Sequence, residues 1–192
     1  MSTIKTTNIT HGSNSGTANL VLASNGNVTV AGALAAGSFT GAGLFSSYAI
    51  ITNELSAGTE GGTNVANSWT TRDLNTELAD PDGIVSISSN KFTLGAGSYL
   101  IKWVTAFQNA SYTITRLYDV TNSAVRQYGM ASYGIYTTDR APGFARVTPS
   151  GSTEYRIEYY SDQAQANSGL GPDAPDDVAV TIGTVVEIYK EA

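Results

Sequence analysis

Nucleophilic catalysis needs a nucleophile held beside a base, and this chain is poor in both. It has no cysteine and one histidine, His11. The lack of cysteine removes thiol nucleophiles, disulfides and thiolate metal sites together. His11 sits in Thr10-His11-Gly12-Ser13, a turn-like context. A triad through it would have to borrow an Asp and a Ser from a distant part of the chain. Glycoside hydrolysis needs only two carboxylates flanking a bond, and Asp80, Asp82, Glu154 and Glu158 are the candidates. Glu154 and Glu158 would share a strand face, but four residues along a strand span about 13 Å. Glycosidase carboxyl pairs stand roughly 5–9.5 Å apart. No catalytic residue is therefore assigned, and the chain is not expected to be an enzyme.

Metal chemistry has two candidate places. Ca²⁺ takes six to eight oxygens, and the acidic clusters are Asp80-Pro81-Asp82 and Asp173-Ala174-Pro175-Asp176-Asp177. Solvated turns are the simpler reading of both, and no metal ligand or cofactor is assigned. Gly95-Ala96-Gly97 and Gly169-Leu170-Gly171 are turn glycines. Neither precedes a helical pattern, so neither reads as a phosphate loop.

The charge balance excludes further classes. Ten Lys and Arg stand against 16 Asp and Glu among 192 residues, a net charge of −6. Phosphate neutralisation needs basic residues, so nucleic acid is not an expected partner. No apolar run approaches the 18 residues of a membrane helix, so no membrane is expected either. The segment Met1–Thr10 carries no apolar signal region.

The remaining charges are unevenly spread. After Lys5 the next charged residue is Glu54. The intervening stretch is rich in Gly, Ala, Ser, Thr and Asn, yet it holds the strand-like runs Leu20-Val21-Leu22 and Val28-Thr29-Val30. Asn25-Gly26 between them is a tight-turn signal, because both residues accept positive φ. The spacing predicts a hairpin of Asn19–Ala23 and Asn27–Ala31. A run of small residues, Gly32–Gly43, follows. An isolated hairpin is marginal in water, so residues 1–45 are expected to be an arm ordered against copies of itself or a larger surface.

Residues 46–192 read as an all-β domain of about ten short strands. Expected strands are Tyr48–Leu55, Trp69–Leu74, Gly83–Ile87, Lys91–Leu94 and Ser98–Phe107. Tyr112–Val120, Ala124–Tyr128, Phe144–Val147, Glu154–Tyr160 and Val178–Tyr189 follow, with Gln163–Asp177 a loop. Asp80-Pro81-Asp82-Gly83 reads as a turn. Ser98–Phe107 is largely apolar on both faces. A sandwich strand needs only one apolar face, so the second suggests burial against another subunit. Tyr99, Trp103 and Tyr189 are the aromatic residues expected there. In the last strand Val178, Val180, Ile182, Thr184, Val186 and Ile188 form one stripe, and that strand is expected to be central.

Several motifs in this order carry a resemblance. Gly97-Ser98-Tyr99-Leu100-Ile101, Arg116-Leu117-Tyr118-Asp119-Val120-Thr121 and Val186-Glu187-Ile188-Tyr189-Lys190 resemble the C1q/TNF-type jelly roll in its phage-virion version. Trp69-Thr70-Thr71-Arg72-Asp73-Leu74-Asn75-Thr76, followed by Asp80–Ile84, is similar to the same group. The resemblance covers roughly residues 48–192 and implies a ten-stranded jelly-roll sandwich that forms tight homotrimers. The runs Asn19–Ala23 and Asn27–Gly32 resemble N-terminal segments of phage fibre and head-surface proteins. Unlike animal members the chain has neither cysteine nor a collagenous stalk, so immune roles are not carried over. The resemblance implies a homotrimeric virion surface protein made in the host bacterial cytoplasm. Its strongest form is a capsid decoration (cement) protein, held through residues 1–45 to the major capsid protein or another virion protein. The alternative is the receptor-binding tip of a tail fibre or head fibre, gripping a host surface glycan in grooves lined by some of its 11 Tyr and 2 Trp.

Overall fold

The computed structural model describes residues 8–9, 20–22, 28–30, 44–175 and 177–192. The chain divides into two units, Met1–Ala42 and Gly43–Ala192. In the first, β1 (Asn8–Ile9), β2 (Leu20–Leu22) and β3 (Val28–Val30) form an antiparallel sheet in the order β1-β2-β3. Leu20 lies opposite Val30, Val21 opposite Thr29 and Leu22 opposite Val28. The middle of the expected hairpin is therefore present. Its outer residues, Asn25-Gly26, His11 and Gly32–Gly43 lie outside the described residues.

The second unit starts from alternation. In β9 (Tyr99–Gln108) the odd positions Tyr99, Ile101, Trp103, Thr105 and Phe107 are buried. In β10 (Ser111–Asp119) Thr113, Thr115, Leu117 and Asp119 are buried; in β14 (Thr153–Ser161) Tyr155, Ile157 and Tyr159 are. Period-2 patterns of this kind give each sheet one inward face. The remaining strands are β4 (Phe45–Ser56), β5 (Thr70–Thr71), β6 (Thr76–Ala79), β7 (Val85–Ser88), β8 (Lys91–Leu94), β11 (Ala124–Tyr128), β12 (Ser132–Gly134), β13 (Thr138–Val147) and β15 (Val180–Glu191). A five-stranded sheet runs β13-β9-β15-β4-β6. A seven-stranded sheet runs β11-β10-β14-β8-β7, with β12 on β10 and β5 on β14. Every strand pairing is antiparallel. Ten strands of this unit have four residues or more, and β5 and β12 are the two short additions. Among the described residues no helix is long and apolar enough to cross a membrane.

The core lies between the sheets, around Ile51, Phe92, Ile101, Trp103, Ile157 and Ile188. Each such side chain contributes roughly 1.5–3 kcal/mol on burial. The Trp103 indole N–H crosses the core and donates to Thr115 Oγ1 at 2.8 Å. Gly143 opposite it is obligatory, since a Cβ there would lie 2.1 Å from Trp103 Cζ2. A smaller cluster of Phe107, Ala110, Ala141, Tyr159 and Leu170 closes one end.

Arg72, just beyond β5, enters this end with its whole side chain buried. Its Nε donates to Thr184 Oγ1, and its Nη2 donates to the carbonyls of Leu170 and Gly183. Its guanidinium faces the Phe107 ring at 5.3 Å. Burial pulls its pKa down to about 10, against the opposing influence of Tyr159 and Asp73.

Four sequence expectations are corrected. Trp69–Leu74 is a strand only at Thr70–Thr71; the segment is held by the Arg72 side chain instead. β13 is longer than Phe144–Val147. Pro142 does not interrupt it, because β13 is an edge strand and needs no amide on its outer side. β6 and β12 are short, polar strands that carry no alternation to read. The final strand lacks a single stripe. Its register against β4 slips between Ile182 and Thr184, so Gly183 is an extra residue. Val180 and Ile182 are 41% and 44% exposed, whereas Thr184, Val186 and Ile188 are buried. The bulge reverses the facing of the strand. As expected, β15 is central, between β9 and β4.

Candidate functional site

Tyr99 and Trp103 were expected between subunits, but each is only 1% exposed within a single chain. Both fill the sandwich, and the unpartnered face is the other one. The outward positions of β9 are Leu100, Lys102, Val104 and Ala106. Beside them stand Pro142 and Phe144 of β13 and Val185 of β15. All of these but Ala106, which is buried, line a hollow of about 410 Å³ on the outside of the five-stranded sheet, together with Met130 from the turn after β11. Phe144 is 66% exposed. Met130 is placed by its backbone N–H, which donates to the Pro142 carbonyl at 2.7 Å.

The bulge at Gly183 extends this surface. By reversing β15 it turns Val180 and Ile182 outward, on the same side as Val104 and Val185. Tyr48 and Tyr189 lie opposite each other in register on that side. Tyr189 packs on Phe45 with ring centroids 5.1 Å apart. Its hydroxyl donates to Glu187 Oε2 at 2.6 Å. That bond, with help from Lys102, holds the Glu187 carboxyl below its usual range against the opposing effect of burial. It also raises the Tyr189 phenol. The result is a broad apolar face on which Lys102 and Glu187 are paired with each other, with Arg140 beside Val104 and Ile182. Contiguous exposed apolar surface marks an interaction site rather than ordinary solvent-facing sheet.

The outer face of the seven-stranded sheet has different chemistry. The Arg116 guanidinium lies 3.9 Å from the Trp69 ring centroid, and its Nε donates to Glu158 at 2.6 Å. Arg156 pairs with the other oxygen of Glu158 and lies over Tyr118. Trp69 is flanked by Tyr128 and Tyr160, at centroid distances of 5.9 and 5.7 Å. A second pair, Tyr112 and Tyr133, sits 4.7 Å apart. The face is a ladder of rings and guanidiniums, each cation stacked on an aromatic neighbour.

The carboxylates considered for chemistry are engaged in other tasks. Glu154 pairs with Lys91 at 2.7 Å, and Glu158 is buried beneath its two arginines. Asp80 closes its turn, accepting from the N–H groups of Ile84 and Val85 at 2.9 Å each. Asp82 accepts from the Ser47 hydroxyl. Among the described residues no three His, Asp or Glu side chains gather as a metal site; Asp176 lies outside them. Met130, Pro142 and Phe144 were not legible as surface residues in the sequence. The one available signal was apolar side chains recurring in a Gly- and Pro-containing stretch.

Comparison with solved structures agrees with this geometry. The globular domain of zebrafish complement 1qA protein is similar over 75% of this chain and 96% of that one, with a TM-score of 0.50 and 13% identity. Eiger TNF from S. frugiperda matches over 76% and 92%, at a TM-score of 0.49 and 10% identity. Murine APRIL matches over 74% and 98%, at 0.48 and 7%. The zebrafish likeness, at a TM-score of 0.50, shows the fold: an all-β, C1q/TNF-like jelly-roll sandwich. No protein-family model matches the sequence, and no curated protein matches it.

Proposed function

We propose that this chain is a homotrimeric structural protein of a phage virion, a capsid decoration protein with no catalytic role. The jelly roll faces outward, and residues 1–45 attach it to the major capsid protein or another virion protein. It is made in the host bacterial cytoplasm and works at the virion surface. The observation that carries the self-association is the uncovered apolar face of the five-stranded sheet, from Phe144 and Val104 across to Ile182. Covering that face with a second copy removes it from water, and a head-to-side contact repeated around a threefold axis closes into a ring. The test is sedimentation equilibrium at micromolar concentration. The expected species is a trimer, and a Phe144→Glu, Ile182→Glu double variant should be a folded monomer. A wild-type monomer would overturn the proposal. Imaging virions labelled at Ala192 then separates decoration, with label over the whole head, from a fibre, with label at the tail.

A second reading, the receptor-binding tip of a tail or head fibre, is favoured by the ring-and-guanidinium ladder around Trp69 and Tyr128. Exposed rings of this kind suit the apolar faces of a host glycan. Loss of receptor binding in Tyr128→Ala would support it.

A further inference from the structure

A hollow of about 430 Å³ opens at the end of the sandwich where β10 turns into β11 and β13 ends. That volume is within the usual range for small-ligand sites. Asp119, Asn122 and Arg126 form one wall, and Arg146, Thr148 and Ser150 another. Asp119 is fully buried and fully engaged. Its Oδ1 accepts from the Asn122 backbone N–H at 2.9 Å. Its Oδ2 accepts from Asn122 Nδ2 and from Arg126 Nε and Nη2. Arg146 is held in the same way, its Nε and Nη2 donating to the two oxygens of Glu191 at 2.7 and 2.6 Å.

This pairing decides what the hollow suits. Each guanidinium spends two nitrogens on a carboxylate, and among the described residues Nη1 of both has no hydrogen-bond partner. Neither do the hydroxyls of Thr148 and Ser150. The charges cancel in place, so no net field draws an anion. A metal ion would have to displace the donors already on Asp119. An apolar ligand would strand the polar walls at a cost. What remains is a group offering donors and acceptors side by side with no charge. Vicinal hydroxyls do this: they accept from Nη1 and donate to Oγ. Pro149, also in the lining, supplies flat apolar surface for ring C–H groups.

We propose that this hollow binds one neutral pyranose unit of a saccharide. The hollow shares no lining residue with the apolar face, although its Arg146 stands opposite Leu100 of that face. It uses a different surface from the ladder around Trp69, so it stands or falls separately from the glycan reading above.

The test is titration of full-length protein, followed by NMR, with the methyl glycosides of glucose, galactose, mannose and N-acetylglucosamine. Glucuronate and inorganic phosphate are the charged controls. At least one neutral glycoside should bind. Ser150→Trp, which fills the hollow from its exposed rim and touches no ion pair, should weaken that binding at least about tenfold. Arg146→Gln should weaken it by a similar factor, the scale of one lost hydrogen bond to a charged group. Tyr128→Ala should leave it unchanged. The proposal is overturned if none of the four glycosides binds, or if phosphate or glucuronate competes at equal concentration. It is also overturned if binding survives both hollow variants, or falls with Tyr128→Ala and not with Ser150→Trp; that last outcome moves the saccharide to the ladder. If Ser150→Trp fails to fold, Arg146→Gln decides alone.

Discussion

At position 143 any side chain would collide with Trp103. The 2.1 Å that a Cβ would leave to the indole is far inside contact distance, and the ring is fixed by its bond to Thr115. Gly143→Ala is expected to cost about 3 kcal/mol, the upper range of overpacked cores. Urea unfolding followed by tryptophan fluorescence measures it. Asp119 makes a different kind of demand. Burial alone would raise its carboxyl, but the bonds from Asn122 and Arg126 and the Arg126 charge outweigh burial and hold it below the usual range. A carboxyl depressed in the folded state stabilises above its unfolded pKa of about 3.9 and loses that contribution as pH falls through the folded value. Glu187 is depressed in the same sense. The melting temperature should therefore fall steeply below about pH 4. Asp119→Asn should be less stable at pH 7 and lose less on acidification. An equal acid loss in both proteins would remove Asp119 from the account. The facing of Tyr99 and Trp103 shows where residue-level reading stops. Alternation places both on one face of β9, but which face meets the partner sheet depends on Gly143 and Thr115, which are remote in sequence.

The long strands were legible: β10 and β14 follow from their alternation and β9 from an apolar run, and the central placing of β15 was expected although its single stripe was not found. Three features were hidden for identifiable reasons. β12 and β6 have too few apolar residues for a period. Pro142 reads as a strand breaker until β13 is known to be an edge. The bulge in β15 is invisible because Gly183 interrupts nothing in composition, yet one extra residue turns Val180 and Ile182 from core to surface. Arg72 links these elements. It joins the segment after β5 to the bulge at Gly183 and to the Leu170 carbonyl, so it fixes where the reversal in β15 occurs. Arg72→Met would strand two buried carbonyls, at about 3 kcal/mol or more. At roughly 2–4 °C per kcal/mol for a unit of this size, the expected loss is about 6–12 °C by calorimetry. Arg72→Lys should recover only part, since an ammonium cannot reproduce the planar fork. Full recovery by Lys would show that charge, not geometry, is what the site needs.

For the whole molecule, the proposed attachment depends on the stretch between Lys5 and Glu54, which has no charged side chain. In a trimer three such arms act together, and the second and third contacts become effectively intramolecular. Deleting residues 1–44 should leave a soluble, thermally stable trimer that no longer co-sediments with capsids stripped of the native protein. The full-length protein should stay attached in roughly molar salt, where the Debye length is about 3 Å. A deletion variant that still binds would place the anchor on the jelly roll itself. The central position of β15 has a consequence for synthesis. β9 and β4 both pair with residues 180–191, so the inner edge of each stays unpaired until β15 has been made, although their outer edges already have β13 and β6. The nascent chain must wait with two long strand edges open, and non-local pairings of this kind form slowly. Newly made protein is therefore most exposed to aggregation in the interval before β15 is made, and slowing initiation in the expression host should raise the soluble yield more than any stabilising change in the finished fold.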